Sequence, residues 1–128
     1  MLSGFALLFS LSAQADTHTE LDCSKVFSTS DIEQCAAIEL DKTEAQLNDA
    51  YKHLVKQLTQ PDTAQDNYIE YRKKLLTPQR AWITFREADC DAQYAIHSSG
   101  TIRNIVYLGC KQQRAEQRIK ELENYVPY

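Results

Sequence analysis

The sequence is poor in the residues that make turns. It has three glycines and three prolines in 128 residues, too few for an all-β fold with its many tight turns. It has no Gly-rich phosphate loop and no serine set in a nucleophile elbow, so those routes to phosphoryl or acyl transfer have no carrier. None of its four cysteines forms a Cys-x-x-Cys pair, which leaves zinc-site and thioredoxin-like chemistry unsupported. Bases are not in excess: 14 Lys and Arg stand against 18 Asp and Glu, a formal net charge of -4. Nucleic-acid binding is not expected at that balance. No stretch is long and apolar enough for a permanent membrane span.

What is present favours helix. Ala, Leu, Glu, Gln, Lys and Arg dominate. The length fits one domain, small enough to need covalent help. Phe5 to Leu11 is apolar, and Ala13-Gln14-Ala15 is a small-x-small cleavage pattern. Residues 1–15 are therefore expected to be a secretory signal and 16–128 a single helical domain. Met1 to Gly4 carries no Lys or Arg, which is atypical of such a signal. Cys23, Cys35, Cys90 and Cys110 all follow the cleavage pattern. An even number in an exported small domain implies two disulfides, with three possible connectivities. Charge is uneven along the chain: residues 16–50 carry nine acids and two bases, residues 51–128 nine acids and twelve bases. An acidic first third either attracts a basic partner or is simply a solvated helix face.

The densest stretch is Gln79-Arg80-Ala81-Trp82-Ile83-Thr84-Phe85-Arg86-Glu87-Ala88-Asp89-Cys90. Trp82, Phe85, Asp89, Ala92 and Ile96 step by three and four, which puts them on one helical face. Arg86 is one turn from Trp82 and can stack on the indole. Before this stretch, Ser30-Asp31-Ile32-Glu33 reads as a capping box opening a helix that runs to about Leu58. Its inner stripe is Ala36, Leu40, Leu47, Tyr51, Leu54 and Leu58. A second helical stretch starts near Asp62 or Thr63, with Thr77-Pro78 expected to kink or break it. It resumes at Pro78 and reaches His97. Ser98-Ser99-Gly100-Thr101 is a turn in which glycine can supply positive φ. The last helix runs from about Ile102 to Tyr125, with Ile105, Leu108, Gln112, Ala115, Ile119 and Leu122 as its seam. Gln112 needs a hydrogen-bond partner there. The fold class expected is an all-α, disulfide-braced bundle of three main helices. Cys90 and Cys110 are each ten residues from Gly100, so hairpin geometry favours a Cys90–Cys110 bridge and leaves Cys23–Cys35. The rival is Cys35–Cys90, and each preferred loop is worth roughly 3 kcal/mol.

Candidate chemistry is thin. His53 lies one turn from Asp49 but has no nucleophile beside it, so a surface hydrogen bond is the simpler reading. His97 at a helix C-terminus is favoured as a cation by the dipole. No catalytic, metal-binding or cofactor-binding residue is assigned. Arg80, Trp82, Phe85, Arg86 and Asp89 could be a recognition hot spot. Their helical repeat favours core plus ion pairs, so Leu47, Tyr51, Trp82, Phe85, Arg86 and Leu122 are assigned to the core. For partner binding the best candidate is the turn His97, Ser98, Ser99, Gly100, Thr101, Arg103 and Asn104, which is polar and carried on rigid helices.

The order Cys23, Cys35-Ala36-Ala37, Leu47-Asn48-x-x-Tyr51, Gln79-Arg80-Ala81-Trp82-x-x-Phe85-Arg86-x-x-x-Cys90, a Ser/Gly turn, Cys110, Arg118 and Leu122 resembles the lysozyme inhibitor LprI-like N-terminal domain family, over about residues 22–124. The resemblance implies an exported, non-catalytic protein that binds a lysozyme or other muramidase. The family is named for a lipoprotein, whereas this chain has no cysteine at its cleavage pattern, so a soluble stand-alone form is expected. The Thr77-Pro78 break departs from the family's continuous helix. The alternative is a periplasmic immunity or assembly protein with another envelope partner. A metal-binding or enzymatic envelope protein is a third class, which a bound metal would revive.

Overall fold

The computed structural model describes residues 20–125; the expected signal at 1–15 lies outside them. Three helices follow one another, α1 (Thr29–Gln57), α2 (Tyr68–Ile96) and α3 (Arg103–Glu123), with no strand among the described residues. At 29 residues each, α1 and α2 are about 43 Å long.

Local side chains set the helix ends. Ser28, not Ser30, caps α1: its Oγ accepts the Asp31 amide at 3.0 Å. Ser28-Thr29-Ser30-Asp31 repeats the polar-x-x-acid spacing two residues earlier, and using it lengthens the helix. The second helix starts later than 62–63, at Tyr68, with Asn67 Oδ1 accepting the Glu70 amide at 3.0 Å. Before it, Thr63 Oγ1 accepts the amides of Gln65 and Asp66, and Asp62 Oδ1 accepts that of Ile69. These local bonds compete with helix and hold residues 59–67 as an ordered connection. α2 then continues through Pro78 as one helix, so the expected break is absent. Proline withholds one amide from the Lys74 carbonyl, but Lys74 is exposed and water can satisfy that oxygen.

α1 and α3 run parallel, joined by Glu33 to Asn104 near their starts and Thr43 to Gln112 further along. α2 runs antiparallel to α3, joined by Cys90–Cys110 at one level and Gln79–Arg118 at another. α3 packs on both neighbours. The disulfides are Cys23–Cys35 and Cys90–Cys110, with Cα separations of 5.7 and 5.5 Å. The hairpin-derived pairing is therefore the one adopted, and Cys35–Cys90 is not.

The apolar core lies towards the end of α1, the start of α2 and the end of α3. Leu47, Leu54, Leu58, Leu75, Ala115 and Leu122 form it, and Tyr51, Trp82 and Ile119 pack on it half-buried. Gln112 donates to Thr43 Oγ1 at 2.6 Å and Glu116 Oε1 at 2.8 Å, so the odd member of the α3 seam is partnered. One core assignment is overturned: Phe85 is 53% exposed. The inward face of α2 is Leu75, Gln79, Trp82, Arg86 and Cys90. Phe85 sits roughly 100° from the middle of that face at 100° per residue. Ala92 and Ile96 also point outward, Ile96 being 78% exposed.

Leu54→Ala is expected to cost about 2–5 kcal/mol of unfolding free energy, and Phe85→Ala well under the roughly 3–5 kcal/mol of a core phenylalanine. Urea denaturation of the two variants checks this; equal losses would return Phe85 to the core.

Candidate binding surface

The Gln79–Cys90 stretch holds the helices together. Arg86 is buried; its Nη1 pairs with Glu44 of α1, its Nη2 lies 3.4 Å from Glu87, and its guanidinium stacks on Trp82 at 4.8 Å. Gln79 Oε1 accepts from Arg118 Nε at 2.9 Å. Asp89 accepts from Arg114 Nε and Nη2 at 3.0 and 2.9 Å, and Arg114 stacks on the exposed Phe85 ring at 5.4 Å. Lys111 reaches Glu87 at 3.0 Å. Arg86 and Asp89 are thus paired as their burial requires, and most of the conspicuous block is structural. Arg80 points to solvent.

The turn is built differently. His97 caps α2, and its Nδ1 lies 2.8 Å from the Gln93 carbonyl. Gly100 N–H donates to the His97 carbonyl at 2.9 Å. Positive φ is not used at Gly100, and a Cβ there would come no closer than 3.4 Å to His97 O and 3.9 Å to Ile102, so the turn does not demand glycine. Arg103 folds back, donating to Ser98 O at 3.2 Å and stacking on Tyr94 at 5.2 Å. Asn104 donates to Glu33 at 3.0 Å, fixing the turn to the start of α1. Ser98, Ser99, Gly100 and Thr101 are left exposed.

This juxtaposition brings in residues the periodicity did not single out. Ile96 and Ile102 flank the turn, and Phe27 and Ile32 stand at the adjoining start of α1, all exposed. Asp22, Asp31, Glu33 and Asp91 lie on the same end of the bundle. Ser24 donates to Asp22 from both side chain and backbone, which holds the Asp22 carboxyl below its usual range. The available signal was that Phe27, Ile32 and Ile102 are apolar yet sit at helix ends outside any inward stripe.

Elsewhere the chemistry is sparse. His53 and Asp49 line an open groove of about 400 Å³ between α1 and α3, with Gln57 and Ile119. Asp89, Cys90 and Cys110 converge, but the two sulfurs are bonded to each other and offer no thiolate.

The arrangement defines a class: a small helical module tied by two disulfides, with an exposed apolar and acidic end. The chain belongs to the lysozyme inhibitor LprI family, whose family model matches residues 23–122. It is also similar to an uncharacterized protein of Rhizobium meliloti (strain 1021), at 29% identity over 126 residues, covering 92% of this chain and 88% of that protein. No solved structure matches it. No described helix is long and apolar enough to cross a membrane.

Removing Glu44 leaves the buried Arg86 cation without its α1 partner. Such losses cost roughly 3–5 kcal/mol when fully buried; Glu44 is 31% exposed, so Glu44→Ala is expected to cost about 2 kcal/mol after solvent screening. A urea double-mutant cycle with Arg86→Leu should show coupling above about 0.5 kcal/mol; additive losses would contradict the pairing.

Proposed function

We propose that this chain is an exported, non-catalytic inhibitor of lysozyme-type peptidoglycan hydrolases that acts by occluding the substrate cleft. Membership of the lysozyme inhibitor LprI family over residues 23–122 carries the reading. Two disulfides fit an oxidising compartment outside the cytoplasm, with residues 1–15 as the signal that directs export and the periplasm as the destination.

The contact end is the 97–104 turn with the start of α1. Lysozymes are generally basic, and Asp22, Asp31, Glu33 and Asp91 offer opposite charge, which speeds encounter and fixes orientation. Asp22 keeps its charge to lower pH than an ordinary aspartate, because its pKa is depressed. Ile96 and Ile102 supply apolar area beside a polar tip. The Cys90–Cys110 bridge and the Asn104–Glu33 bond limit how much order the turn must gain on binding. Inhibition needs no bond-making step.

A cell-wall turbidity assay with purified protein tests this. Inhibition should fall between about 0.1 M and 1 M salt, as the Debye length drops from ~10 Å to ~3 Å. Ile96→Ser with Ile102→Ser should weaken it about tenfold or more, the loss expected of anchoring contacts, without changing stability. Full inhibition by that variant would remove the turn from the interface. No inhibition of several lysozyme types at low salt would remove the function and bring forward an immunity or assembly partner.

A further inference from the structure

At the opposite end of the bundle from the turn, a cavity of about 300 Å³ opens between the end of α1, the 59–67 connection and the start of α2. The buried Leu58 and Leu75 form its apolar base. Tyr68, Tyr71 and Tyr125 line it. Tyr68 and Tyr71 meet edge to face, with centroids 5.6 Å apart. The Tyr71 hydroxyl donates to Asp66 Oδ1 at 3.2 Å, and Asp66 is itself held by Thr63. Tyr68 and Tyr71 are therefore set in place before anything binds.

The charges at the opening are not equivalent. Asp66 is engaged by Tyr71 and by the connection. Lys74, also lining the cavity, takes part in none of the ion pairs among the described residues. An apolar, aromatic-walled pocket with one free ammonium fits a flat ring carrying an anion.

We infer that this cavity is a binding site for small aromatic carboxylates, with the ring among Tyr68, Tyr71 and Tyr125 and the carboxylate on the Lys74 ammonium. Two sources share this chemistry: a free aromatic acid and the C-terminal aromatic residue of a peptide. The site is independent of the proposed lysozyme contact, which lies at the other end of the helices.

Phenylacetate is a direct probe. A ligand of about ten heavy atoms at ordinary efficiency binds in the millimolar range. Titration followed by NMR of the tyrosine rings should shift Tyr68, Tyr71 and Tyr125 and leave Tyr51, Tyr94 and Tyr107 in place. Lys74 is exposed, so Lys74→Gln should keep the fold by circular dichroism. It should weaken phenylacetate about tenfold, the effect of one charge-assisted hydrogen bond. Phenethylamine, with the charge reversed, should bind more weakly than phenylacetate. N-acetyl-Gly-Phe with a free C-terminus, compared with its amide, separates the sources: preference for the free acid over phenylacetate assigns a peptide terminus, and the reverse a free acid. The inference is overturned by absent or uniform tyrosine shifts at millimolar phenylacetate, by unchanged binding in Lys74→Gln, or by phenethylamine binding equally well.

Discussion

The placement of one buried cation, Arg86, governs how the three helices meet. Burying a guanidinium costs several kcal/mol unless it is paired, and here Glu44 of α1, Glu87 and the Trp82 ring surround it. Pairing Arg86 with Glu44 fixes the rotation of α2. That rotation sends Gln79 to Arg118, Asp89 to Arg114 and Cys90 to Cys110, all on α3. It also turns Phe85 and Ile96 outward. The exposed isoleucine beside the turn is thus a consequence of the same register that closes the bundle.

The two ends of the molecule are stabilised by different means. Around Leu54, Leu75 and Leu122 the helices share an apolar core. Towards the turn they are joined by Cys90–Cys110, Thr43–Gln112 and Glu33–Asn104, and Cys23–Cys35 ties the leading segment to α1. A proposed contact end that leaves Phe27, Ile32, Ile96 and Ile102 in solvent gives up their burial, roughly 1.5–3 kcal/mol per large side chain. Covalent ties and polar bridges compensate for the core that this end lacks. The family signature takes in the four cysteines, Arg86, the Gln79–Arg118 pair and the core residues Leu47, Trp82 and Leu122, so it specifies the scaffold more than the surface the scaffold presents.

Much of the fold was legible because it rests on local or symmetric rules. The α1 stripe through Leu40, Leu47, Leu54 and Leu58 follows simple helical spacing, and equal distances from Gly100 pointed to the Cys90–Cys110 bridge. Gln112 had to find a partner and found Thr43. The face of α2 differs from the expected one because its inward positions include Gln79, a polar residue that hydrophobic periodicity counts as outward, while Phe85 attracts the opposite assignment. Pro78 did not break α2 because tertiary packing on α3 outweighs one lost backbone bond. The turn was visible as a polar connection, but its neighbours Phe27 and Ile32 come from 65 or more residues earlier, a proximity that no local pattern encodes.

The central proposal is that the chain meets a lysozyme through the turn end. Hydrogen–deuterium exchange with and without excess lysozyme tests it most directly. Added protection confined to residues 96–104 and the segment from Asp22 to Glu33 is the expected result. Protection centred on the outer face of α2 around Lys73 and Leu76, or none under conditions where the two proteins co-purify, would contradict it.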